Sequence, residues 1–202
     1  MKKMILLGAI CLPAAFGYAQ ESRQEVSLSG FGLLSPTVRG NGITLQPSVS
    51  GGGLVSYRYL LTPHSGLEAN YSFVQNTNYF QFGGQAANIF NPIHTRQQEV
   101  SVAYVYGLSF KRYNPFFEGG AAGVIFSPIQ DGTFTLDAKR NTNIGGLFGA
   151  GVAYEISPSF DVRVEFRGLV VKAPDFKLPG DRFKTNQYEL ISEPTLGIAY
   201  HF

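Results

Sequence analysis

Three histidines, one cysteine and fourteen acidic residues are the side chains in this 202-residue chain from which reaction chemistry would have to be built. Nucleophilic hydrolysis needs a serine or cysteine, a histidine base and a carboxylate that orients the base, all within mutual reach. His64 lies in "TPHSG", His94 in "NPIHTR", and His201 is the penultimate residue; His94 has no acid near it in sequence. Three scattered histidines offer no spacing for a metal site. Asp131, Asp137 and Asp175 do not repeat at the intervals of a calcium loop. "SGGGL" and "FGGQ" are glycine-rich but lack the lysine and the strand–loop–helix setting of a phosphate loop. The expectation is therefore no catalytic, cofactor or metal site.

The charged residues are ordered in a different way. In "FDVRVEFRGLVV", Asp161, Arg163, Glu165 and Arg167 alternate with Phe160, Val162, Val164 and Phe166. Period-two alternation puts the two sets on opposite faces of a strand. The same rule gives one charged face carrying Arg58, Glu68, Glu99, Glu118, Glu155, Asp161, Arg163, Glu165 and Arg167, backed by aromatic and β-branched residues. Such a face is either the solvated side of a soluble sheet or the filled interior of a small barrel.

Eight alternating segments carry these residues, at about 25–34, 52–61, 67–76, 98–110, 116–126, 144–156, 160–171 and 193–202. Their connections alternate in length. "TPHSG", "KRYNP" and "SPS" are tight, proline-containing turns, whereas the other four connections are long. In an up-and-down meander, every second connection lies at the same end, so the long loops share one rim. An even strand number with short turns at one end and long loops at the other is the pattern of an outer-membrane barrel. Hydrocarbon requires every backbone group to be paired, hence closure, and an apolar outer band. Eight strands leave an interior just wide enough for side chains to fill. The lumen is then expected to hold a network of paired acids and arginines rather than an open pore.

The ends of the chain agree. "MKKMILLGAICLPAAFGYAQ" has two lysines, a short apolar run and small residues at Gly17 and Ala19, the layout of a secretory signal peptide over 1–19. Its removal would take away the only cysteine and leave 14 basic against 14 acidic residues, so no basic excess argues for nucleic acid. No later segment is apolar for long enough to cross a membrane as a helix. The domain expected is 20–202.

The final "TLGIAYHF" resembles the C-terminal β-signal of bacterial outer-membrane proteins, with Thr195, Gly197, Tyr200 and Phe202 at its polar, glycine and aromatic positions. The whole of 20–202 resembles the eight-stranded outer-membrane barrels of the OmpA-transmembrane-domain and OmpX-like group. That resemblance implies an all-β, antiparallel, up-and-down transmembrane barrel with four long external loops, three short periplasmic turns and paired terminal strands. It implies recognition by the barrel-assembly machinery and location in the outer membrane. The peptidoglycan-binding domain of OmpA proper is missing after Phe202, so wall anchoring is not expected.

The function expected is a structural or interaction role in the envelope, by a monomer whose lumen is filled by Arg58, Glu68, Glu118, Glu155, Asp161, Arg163, Glu165 and Arg167. A narrow channel or carrier for small hydrophobic molecules is the alternative, followed by a lipid A-modifying enzyme, for which His94 would be the sole external candidate base. Partners expected are outer-membrane lipid and lipopolysaccharide. Arg39, Arg96, Lys139, Arg140, Lys172, Lys177, Arg182 and Lys184 fall in or beside the long loops, where they either meet lipid phosphates or balance loop acids. Tyr79, Phe80, Phe82, Ile89 and Phe90 in the second loop could fold over the rim, cap the barrel or contact another surface.

Overall fold

The protein is seen here as a computed structural model that describes residues 23–82, 90–129, 139–177 and 184–202, with backbone alone for Phe82 and 90–92. The expected leader over 1–19 lies outside the described residues. So do Arg182, Ile89, Asp131 and Asp137.

Ten strands follow one another: β1 (Gln24–Leu33), β2 (Val38–Gly40), β3 (Ile43–Pro47), β4 (Ser50–Thr62), β5 (Ser65–Phe82), β6 (Phe90–Gly107), β7 (Tyr113–Pro128), β8 (Asn141–Ser157), β9 (Phe160–Lys172) and β10 (Tyr188–His201). Eight of them close a ring. Each pairs antiparallel with its neighbour, β5 pairs with β6, and β1 pairs with β10 through Glu25↔His201 to Phe31↔Thr195. Phe202 and Gln24 exchange backbone hydrogen bonds at 3.0 and 3.3 Å, so the last residue of the chain is sewn to the first strand. The fold is an eight-stranded antiparallel β-barrel, and no helix occurs among the described residues.

Burial alternates along every wall strand, and it alternates the way a membrane barrel must. Val102, Tyr104, Val164, Phe166, Leu196 and Ile198 are large, apolar and exposed. Serines, asparagines, glutamates and arginines one residue away are buried. A soluble sandwich would bury the first set and expose the second.

Two departures from the sequence reading concern the long-loop end. The first connection is no open loop: β2 and β3 form a hairpin whose turn, Asn41-Gly42, has φ of 51° and 74°. That is the left-handed pair demanded by a two-residue hairpin turn, and Asn-Gly is its commonest sequence. β3 then adds to β5 through Ile43↔Phe82 to Pro47↔Asn78. The second connection is mostly strand as well, because β5 and β6 stay paired out to Gln81↔Phe90. His94 is accordingly a strand residue, not a loop residue, with its ring nitrogen Nδ1 2.9 Å from Thr77 Oγ1.

Candidate functional site: the filled lumen

The inward column of β9 reads, from the short-turn end upward, Asp161, Arg163, Glu165, Arg167, Leu169 and Val171, all buried. The lumen is thus polar and ionic below, apolar above.

At the short-turn mouth Asp161 is 2.9 Å from His201 Nε2, and Glu25 lies 3.8 Å from the other ring nitrogen. One layer up, Arg58 donates from Nε to Glu68 Oε2 at 2.7 Å. Arg163 reaches Glu25 at 2.9 Å and the same Glu68 oxygen at 3.3 Å. Both guanidiniums also lie 4.8 Å from the centre of the Phe116 ring. Buried cations stacked on an aromatic face recover part of the desolvation cost that burial imposes.

The next layer centres on Arg167, which is 1% exposed. Its Nη2 donates to Glu99 Oε1 at 2.7 Å and its Nη1 to Glu193 Oε2 at 2.9 Å, while Nε approaches Glu118 Oε1 at 3.4 Å. Ser72 Oγ donates to the second oxygen of Glu99 at 3.1 Å. Arg167 thus ties β9 directly to β6, β7 and β10, and Glu99 carries the link on to Ser72 of β5. A buried charge is tolerable only with this kind of multiple, charge-assisted pairing.

Above Arg167 the contents change. Phe31, Leu33, Leu54, Phe126, Leu147 and Leu169 belong to one buried apolar cluster. The β2–β3 hairpin contributes Val38, Ile43 and Leu45, and the segment after β9 contributes Ala173 and Phe176. Phe176 meets Phe80 edge-on at 6.1 Å between ring centres. Asn41 Nδ2 donates to the Lys184 carbonyl at 2.6 Å, which fixes the hairpin tip against the chain leading into β10. Of the possibilities open for the second loop's apolar residues, Phe80 takes the capping one, at 0% exposure.

Glycine makes room for these long side chains. A Cβ on Gly149 would stand 2.6 Å from Glu118 Oε1, and one on Gly151 would meet the Phe116 ring at 2.6 Å and the Val164 carbonyl at 2.7 Å. "GAG" at 149–151 is therefore the wall against which Glu118 and Phe116 lie.

Of the eight residues expected in the lumen network, Arg58, Glu68, Glu118, Asp161, Arg163 and Arg167 make the ion pairs above. Glu165 is buried on the same column between Arg163 and Arg167. Glu155 faces the mouth half-exposed, with no ion-pair partner within 4.0 Å among the described residues. Glu25 and Glu193 also belong to the network, although the sequence reading did not place them there, and His201, whose alternation puts it at the lumen mouth, joins it through Asp161. The phase of both acids was available: Glu25 alternates with Val26 and Leu28, and Glu193 stands two residues before Thr195. Thr195 and Gly197 face inward, whereas Tyr200 and Phe202 face outward and stack at 5.9 Å between ring centres.

One irregularity breaks the wall. Pro194 has no N–H to give, and the β1–β10 ladder lapses between Phe31↔Thr195 and the isolated bridge Leu34↔Ser192. Gly30, Gly32, Gly51, Pro194 and Leu196 line a shallow, open groove on the outer face at this lapse.

A closed eight-stranded barrel with an apolar exterior and a packed ionic interior defines a class of outer-membrane protein. Residues 4–202 match the family of the outer membrane protein β-barrel domain, and the chain belongs to that family. Comparison with curated protein sequences finds no match. Among solved structures the chain is similar to neisserial surface protein A, at 14% identity, a TM-score of 0.61, and 90% of this chain against 98% of that one. It is similar to OprG from Pseudomonas aeruginosa, at 9% identity, a TM-score of 0.62, and 90% against 97%. It is similar to Ail from Yersinia pestis, at 14% identity, a TM-score of 0.53, and 89% against 99%. At these identities the likeness speaks for the fold.

Proposed function

We propose that this protein is a non-conducting structural element of the outer membrane, a monomeric barrel that spans the lipid and presents its long-loop rim to neighbouring molecules. The observation that carries the reading is Arg167 held by Glu99, Glu118 and Glu193 directly beneath the apolar cluster. Passage along the axis would require both layers to open. On this reading the protein has no catalytic role, the leader over 1–19 is removed on export, and "TLGIAYHF" is read by the assembly machinery. The test is solute efflux from liposomes containing the refolded barrel. Retention of small sugars and amino acids at the rate of empty liposomes is expected; fast, size-limited efflux would overturn the reading.

A second reading, a carrier for small hydrophobic molecules, is favoured by one observation only: the groove beside Pro194, where the ladder lapses. Transfer of a hydrophobic probe into liposomes that is accelerated by the protein, and slowed by Pro194→Ala, would favour it over the structural role.

A further inference from the structure

The outward column of β6 runs Tyr106, Tyr104, Val102 and Val100, then turns polar with Gln98, Arg96 and His94. Gln98 donates to the Tyr71 hydroxyl at 2.7 Å, and Arg96 lies 5.9 Å from the Phe73 ring centre. Aromatic rings beneath polar groups mark the level where hydrocarbon gives way to headgroups. Arg96 therefore stands at the long-loop edge of the apolar band.

It does not stand alone. Arg96 pairs with Ser127 of β7, and the β7–β8 ladder ends at Phe126↔Asn141, so the next position opposite Ser127 is Arg140. Arg96 and Arg140 are both exposed; Arg140 lies one residue outside β8, and extending the β7–β8 register brings it beside Ser127 on the row of Arg96. Two strand spacings put their Cα atoms about 10 Å apart, within joint reach of one phosphate for two arginine side chains. Among the described residues, the outward positions of β5, β6, β7 and β8 carry no aspartate or glutamate. The row is cationic and lies where the outward apolar column of β6 gives way to polar residues.

We propose that Arg96, Ser127 and Arg140 form a clamp for the phosphate of an outer-leaflet glycolipid. This rests on the outer-membrane reading and names one lipid partner for that barrel. Guanidinium donors match phosphate oxygens in pairs, and a hydroxyl between them supplies a third donor. The lipid's acyl chains would run down the wall over Val100, Val102 and Ile125. No proton or bond is exchanged, so binding is by hydrogen bonds and charge alone.

The test is native mass spectrometry of the refolded chain released from nanodiscs that contain diphosphoryl lipid A, its dephosphorylated form, or phosphatidylglycerol. Selective retention of diphosphoryl lipid A is expected. Arg96→Ala with Arg140→Ala should lower its retention at least about tenfold, because the charge-assisted hydrogen bonds of both guanidiniums are lost. Arg112→Ala, at the short-turn end, should leave it unchanged. Equal retention by the double variant, or equal retention of the dephosphorylated lipid or of phosphatidylglycerol, would overturn the clamp. Failure of the wild type to enter nanodiscs as a heat-modifiable barrel would instead strike the outer-membrane reading on which the clamp rests.

Discussion

Arg167 of β9 and Glu99 of β6 meet across the lumen at 2.7 Å, with both side chains sealed from solvent. They are 68 residues apart in sequence and sit on strands separated by two others in the ring. Their pairing is available only to the closed barrel, so it reports on closure as well as on charge.

Removing one partner of such a pair strands the other. Arg167→Ala leaves Glu99, Glu118 and Glu193 crowded without a cation, and a loss of about 3–5 kcal/mol in unfolding free energy is expected. Urea unfolding of the liposome-inserted barrel, followed by tyrosine fluorescence and gel mobility, measures it. A midpoint equal to the wild type's would mean that the network contributes nothing.

The glycine wall makes a sharper, positional forecast. Gly151→Ala presses a methyl group on the Phe116 ring and the Val164 carbonyl, an overpacking cost of about 1–3 kcal/mol. Gly146→Ala points into open space and should stay within about 0.5 kcal/mol. Similar midpoints for the two variants in the same urea titration would show that the lumen is more loosely packed than described.

The lipid face can be probed by depth. Val102→Arg places a charge in the middle of the exposed apolar column of β6, where about 2–4 kcal/mol is expected. Thr142→Arg, exposed near the outer end of β8, should cost at most about 1 kcal/mol. Equal costs at the two depths would place the bilayer elsewhere on the wall.

Most of the barrel could be read from the sequence because its two environments differ so strongly. Lipid and lumen impose opposite chemistries on alternate residues, and "FDVRVEFR" records that contrast letter by letter. The extension of β5 and β6 was missed because "QNTN" at 75–78 is polar on both faces and interrupts the contrast before Phe80 and Phe82 resume it. The apolar cluster was missed for the complementary reason. In "RGLVV" both faces turn apolar after Arg167, and a pattern rule sees a run where the structure has a lipid face and a plug. The β2–β3 hairpin did leave a signal, Asn41-Gly42, inside what looked like one long loop. Which acids pair with which arginines depends on barrel closure, and no local pattern encodes that.

Phe202 carries a prediction about assembly rather than stability. Its ring stacks on Tyr200, and its backbone bonds to Gln24 at one end of a seam that continues through Phe31↔Thr195. Deleting it should lower the yield in the outer-membrane fraction of cells far more than it shifts the urea midpoint of refolded protein. Equal cellular yields with and without Phe202 would show that the terminal aromatic is not part of an assembly signal.

Closure of the lumen by two stacked layers, ionic beneath apolar, is the centre of this account, and ionic current tests it most directly. Planar bilayers containing the refolded wild-type barrel should show no resolved channel steps above the bare-membrane baseline. Arg167→Ala combined with Phe126→Ala, which thins both layers, should introduce small, intermittent steps. Stable, ohmic conductance from the wild type would contradict the account.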